Sequence, residues 1–155
     1  MTEFCSIESS NHILTVTLER PERLNALHPL ANAELGRVFD DFAADDDLWV
    51  AIITGRGRGF SAGNDLRYQA EGGQRVPFPK GFGGLTSRFD LNKPVIAAVN
   101  GVAMGGGFEI ALVGFEDGQG DFGQVLGIRG EGSEGLVGGG ALLDAQVELA
   151  LGELT

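Results

Sequence analysis

The chain has 155 residues, 43% of them hydrophobic, with a mean hydropathy of +0.05. This suits one globular domain with one core, and no apolar run is long enough to span a bilayer. Eleven Lys/Arg against 22 Asp/Glu leave a net charge of −11, which disfavours a nucleic-acid partner.

The charge is unevenly spread. Residues 1–93 hold ten of the basic side chains and 13 acids, whereas 94–155 hold only Arg129 against nine acids. An anionic ligand would therefore meet the first part of the chain. The single Cys5 cannot form an internal disulfide or a metal cluster, and reads as a small residue at a strand edge. No charged-then-apolar leader pattern opens the sequence, so the cytoplasm is the default compartment.

His12 to Leu18 places Leu14, Val16 and Leu18 on one face and predicts a half-buried strand. Pro29 suits a first helical position. Leu35, Val38, Phe39 and Phe42 follow at helical spacing, and the helix ends near Ala44, before Asp45-Asp46-Asp47. That acidic triplet reads as a solvated exit turn, because it lacks the spacing and glycine of a calcium loop. Leu48 to Thr54 is a buried-type strand, followed by the glycine-rich loop Gly55 to Phe60 and by SAGNDL, with a short helix from about Asp65. Glu71 to Gly84 reads as a surface loop, and Leu85 to Leu91 as one or two helical turns.

Pro94 to Val99 is a second run of the kind that a parallel sheet buries on both faces. Asn100-Gly101 breaks it, and Gly105-Gly106-Gly107 opens a helix carrying Glu109 in its first turn. Helix starts leave backbone N–H groups without partners and favour negative charge. Eleven glycines crowd Gly114 to Gly140, and Leu143, Val147 and Leu151 suit a closing amphipathic helix.

Strand, glycine loop and helix thus occur twice. If both strands share one sheet, both loops emerge at one carboxyl edge. One N–H from FSAGNDL and one from MGGGFE could then converge on a single oxygen as an oxyanion hole, with Glu109 alongside to move protons. The alternative is two tight turns made for packing. A dinucleotide fingerprint at Gly55-x-Gly57-x-x-Phe60 is incomplete, and no Gly-Lys-Ser/Thr exists for a P-loop. His12 in its strand and His28 before Pro29 read as structural.

Three blocks carry a family resemblance: LERPERLNAL (Leu18 to Leu27), AIITGRGRGFSAGNDL (Ala51 to Leu66) and KPVIAAVNGVAMGGGFEIAL (Lys93 to Leu112). With their order and spacing they make most of residues 12–112 resemble the crotonase, or enoyl-CoA hydratase/isomerase, superfamily. The resemblance implies an α/β, ClpP/crotonase-type spiral of ββα repeats that binds acyl-CoA thioesters. Residues 1–155 would form one domain, with 113–155 an atypical glycine-rich segment and closing helix. The resemblance implies that the family's helical C-terminal part, which builds its trimers, is missing or truncated here. A homo-oligomer, trimer or hexamer, is implied all the same, with no nucleic-acid or membrane partner.

By the same resemblance, the N–H groups of Ala62 and Gly106 hold the thioester oxygen as it becomes an enolate, and Glu109 is one catalytic glutamate. Arg23, Ala26 and Leu27 would lie along CoA. Ser61, Ala62, Gly63, Asn64, Asp65 and Leu66 would line the substrate in the first loop, and Gly105 and Gly106 in the second. Asp65 reads as a helix cap, and Arg20, Arg23, Arg56 and Arg58 are candidates for the CoA phosphates. Hydratases of the family use a second glutamate in an F-G-x-P-E segment. Phe122-Gly123-Gln124 matches its start, but Val125-Leu126 replaces Pro-Glu. Counting back from Gly135-Leu136 selects Glu131, with Glu134 nearby.

The implied activity is hydration of an α,β-enoyl-CoA thioester, a lyase reaction without metal or redox cofactor, CoA being part of the substrate. With a single working glutamate, double-bond isomerisation is the alternative. A non-catalytic CoA-binding module and a nucleotide-binding protein are the rival classes.

Overall fold

The computed structural model describes residues 2–113, and these form three successive ββα units. The first is β1 (Cys5–Ser10), β2 (Ile13–Leu18) and α1 (Pro29–Ala44). The second is β3 (Val50–Gly55), β4 (Gly59–Ser61) and α2 (Leu66–Ala70), and the third is β5 (Val95–Ala98), β6 (Val102–Ala103) and α3 (Gly106–Val113). Strands β1-β2-β3-β5 make one sheet, with β1 antiparallel to β2 and the other pairs parallel, while β4 and β6 pair in a smaller parallel sheet.

Asn11 and His12 join β1 to β2 with φ of 50° and 65°, the left-handed geometry of a two-residue hairpin. His12 therefore stands in the turn and not in the strand, and its ring stacks on Trp49 at 3.9 Å. In β2 the expected alternation holds, with Leu14, Val16 and Leu18 buried. Strand β1 was not expected, because Ser6, Glu8, Ser9 and Ser10 make it polar. It lies at the sheet edge with Cys5 buried. Burial, with the Glu34 carboxylate beside it, pushes the Cys5 thiol up to about 12, so it is an unreactive packing group.

Helix α1 begins where Pro29 predicts. The His28 Nδ1 accepts the Ala31 N–H at 3.1 Å and so caps it. Ala31, Leu35, Val38, Phe39 and Phe42 are buried at three- and four-residue spacing and join β2, β3 and Phe60 in the core. Emptying a Phe39- or Phe42-sized site costs about 3–5 kcal/mol in proteins generally. The helical turn expected over Leu85 to Leu91 lies earlier, as a 3-10 turn at Phe82–Gly84. There Arg88 donates to Gly84 O and Gly36 O, both at 2.8 Å, tying the turn to α1.

Candidate functional site

Because β3 and β5 are parallel neighbours, the loops that leave them emerge at one edge. Their continuations, β4 and β6, pair with each other. The two glycine loops therefore meet: Met104 N–H donates to Ser61 O at 3.0 Å, and Gly63 packs on the start of α3. Gly63 has φ +82°, and a Cβ there would lie 2.7 Å from Gly106 N and closer still to Met104 O. Only glycine permits both the backbone angle and the approach.

Several side chains hold the first loop. Ser61 Oγ donates to Asn25 O at 2.9 Å and accepts Gly63 N–H at 3.2 Å. Leu27 N–H donates to Gly63 O, and Asp65 N–H donates to Leu27 O, at 2.7 and 3.1 Å. Asp65 caps α2 by accepting Tyr68 N–H at 2.9 Å, as the sequence suggests, and pairs with Arg20 at 2.8 Å. Burial pushes the Asp65 carboxyl up, but the Tyr68 N–H and the Arg20 guanidinium outweigh it and hold the group below its ordinary range.

The hydrogen bonds correct one expectation. Ala62 N–H donates to Leu24 O at 2.8 Å, so it is already engaged and is not a free oxyanion donor. Two residues on, Asn64 pairs with Leu27 in a parallel bridge made by its neighbours' groups. Its own N–H therefore faces away from Leu27 and has no acceptor among the described residues. Gly106 N–H, in the first turn of α3, is likewise without an acceptor among the described residues. The loop expected to supply a donor thus supplies one at Asn64.

Glu109 lies in that same first turn of α3 and is exposed. Gly105 is exposed beside it, and Leu66 is exposed on α2, while Ala26, Leu27, Ser61 and Gly63 are buried in the joint between the first block and the loop. Two of the four arginines considered for phosphates are engaged internally, Arg20 with Asp65 and Ala26 O, and Arg56 with Glu19. Arg23 and Arg58 have no ion pair among the described residues. Glu131 and Glu134 lie outside the described residues, as does the expected closing helix.

Beside the loops opens a cleft of about 810 Å³, in the size range of small-molecule sites, with Asn64 on its wall. Asn32, Tyr68, Gln69, Arg75, Phe78 and Phe82 line it further, and none of them stood out in the sequence. Two phenylalanines inside an otherwise polar loop were the available signal. Phe82 also packs on Gly106, where a Cβ would lie 2.5 Å from its ring.

Repeated ββα units with unengaged backbone N–H groups at the carboxyl ends of parallel strands define an α/β protein. Residues 8–114 match the profile of the enoyl-CoA hydratase/isomerase family, and the chain belongs to that family. Among its relatives, a carnitinyl-CoA dehydratase of Citrobacter koseri is 52% identical over 115 residues, covering 72% of this chain and 44% of the relative. Two crystal structures superpose well. A carnitinyl-CoA hydratase of Mycobacterium avium has a TM-score of 0.66 at 33% identity, over 73% of this chain and 44% of that one. An enoyl-CoA hydratase of Mycobacterium tuberculosis H37Rv has a TM-score of 0.64 at 38% identity, over 71% and 43%. The fold is thus the crotonase fold expected from the three blocks. The chain spans about 44% of the length of the curated relatives it matches.

Proposed function

We propose that this chain binds acyl-CoA thioesters and catalyses addition or removal of water across the α,β bond of the acyl group. The observation that carries this reading is the pair of unengaged N–H groups, Asn64 and Gly106, on touching loops beside a cleft, with Glu109 in the same helical turn as Gly106. Membership of the enoyl-CoA hydratase/isomerase family and the named activities of the relatives support it.

In this reading the thioester oxygen accepts both N–H groups. Polarisation makes the β-carbon electrophilic, and the negative charge that develops on oxygen as water adds is stabilised where the donors already point. Glu109 takes a proton from the water as its oxygen bonds to the β-carbon, and the second acid gives a proton to the α-carbon of the enolate. Removal of water runs the same steps in reverse. Glu131 remains the proposed second acid, and isomerisation is the outcome if Glu109 works alone. Addition of water is not a redox step and the backbone donors polarise the carbonyl, so neither a metal nor a redox cofactor is required. Arg23 and Arg58 are the cations proposed for the CoA phosphates, and a homo-oligomer in the cytoplasm is the proposed setting.

Hydration of crotonyl-CoA by the 155-residue chain, compared with Glu109→Gln, tests this. We expect a loss of about hundredfold or more in kcat with a smaller change in KM. Wild-type turnover in the variant would remove Glu109 from the mechanism, and failure to bind any CoA thioester would sink the whole reading.

A further inference from the structure

The cleft beside Asn64 has an uneven chemistry. Among the described residues its lining holds one charged side chain, Arg75, and no carboxylate. That is notable in a chain with twice as many acids as bases. Arg20, Arg56, Arg67 and Arg88 each have a carboxylate partner, whereas Arg75, like Arg23, Arg37 and Arg58, has none among the described residues.

Asn32 adds a second observation. It is 1% exposed, and its carboxamide oxygen accepts Gly83 N–H at 2.8 Å. The same residue lines the cleft, with the amides of Asn64 and Gln69. Tyr68, Phe78 and Phe82 supply the apolar wall. An acyl group that is plain hydrocarbon to its end would satisfy the aromatic wall and desolvate these donors without replacing their water. An acyl group ending in an anion would meet both halves of the cleft.

Resting on the thioester reading above, we propose that the cleft selects CoA thioesters whose acyl group ends in a carboxylate, and that Arg75 receives that carboxylate. A guanidinium offers two parallel N–H donors to a carboxylate, a match that neither a methyl end nor a quaternary ammonium can make. A cationic acyl end would be repelled by Arg75 with no acid in the lining to offset it. Arg75 is thus a specificity residue, distinct from the donors that hold the thioester oxygen.

The experiment is equilibrium binding of crotonyl-CoA, glutaconyl-CoA and the CoA thioester of a quaternary-ammonium enoic acid to the 155-residue chain and to Arg75→Leu, Arg75→Lys and Arg67→Leu. Glutaconyl-CoA is expected to bind about tenfold tighter than crotonyl-CoA, in line with a charge-assisted hydrogen-bonded pair. Arg75→Leu removes that difference, Arg75→Lys keeps part of it, and Arg67→Leu, at an exposed position on α2, keeps it all. Arg75 is exposed, so its variants retain the fold, checked by circular dichroism. Equal affinities, or a preference for the cationic thioester, overturn the carboxylate proposal while crotonyl-CoA binding leaves the thioester reading standing. A preference that survives Arg75→Leu overturns the role of Arg75. No binding of any thioester overturns both readings.

Discussion

Asn25 does more to shape the candidate site than any residue that lines it. Its side chain accepts Arg20 N–H at 3.0 Å and donates to Arg56 O and Gly59 O at 3.0 and 2.8 Å. Its carbonyl accepts the Ser61 hydroxyl, which in turn accepts Gly63 N–H. The residue is fully buried and left-handed at φ +53°. Asn25→Ala would leave two carbonyls and one N–H unpaired inside the protein and keep the backbone cost. We predict a loss of about 2–4 kcal/mol, read from the denaturant midpoint. Gly63→Ala attacks the donors more directly, since its Cβ would press on Gly106 N. Turnover of crotonyl-CoA is predicted to fall about hundredfold or more in kcat. A Gly63→Ala protein with unchanged kcat would show that the loop contact does not set the donors.

Helix α1 shows how far one element can be read from its own residues. Pro29 and the spacing of Leu35, Val38, Phe39 and Phe42 are local signals, and the helix runs Pro29–Ala44 as they require. Strand β1 lacks such a signal because Ser6, Glu8, Ser9 and Ser10 are polar and it sits at the sheet edge against β2, while its start is held from a distance: the Glu34 carboxylate, about thirty residues away, accepts the N–H groups of Phe4 and Cys5 at 2.8 and 3.2 Å. The free donor in the first loop was hidden by distance as well. Sequence spacing marks a small-residue loop. It cannot show that Leu24, far back in the chain, takes the N–H of Ala62 and leaves that of Asn64. Tertiary contact is also tight where the Phe82–Gly84 turn meets α1. A Cβ on Gly84, at φ +68°, would lie 2.5 Å from Gly36 Cα and N. Gly84→Ala is expected to cost about 3 kcal/mol, seen as a lowered denaturant midpoint with an unchanged m-value.

For the folded chain as a whole, acid is the predicted weak side. Burial, then the nearby Arg20 charge, pushes His28 below its ordinary value of 6.5. The unfolded chain therefore takes up that proton first, so this contribution is complete above about pH 6.5 and fades as pH falls below it. Hydrogen bonds from Arg56 and Ser6 hold Glu19 low, and Asp65 is held low against its burial, so their contributions persist until pH falls below the ordinary carboxylate range. Stability measured from pH 8 to 3 should show a shallow decline and then a steeper one. His28→Asn, which keeps a capping side chain, should remove the first stage. Stability that rises between pH 7 and 5 would contradict this account. At this same level the Gly63–Gly106 contact has a further consequence. The two free donors are spaced by backbone against backbone, so the cleft side chains other than Phe82, which packs on Gly106, can change without moving them. Carbonyl activation and acyl choice then become independent variables: exchange at Gln69, Arg75 or Phe78 redirects which thioester is taken while the step performed on it stays the same.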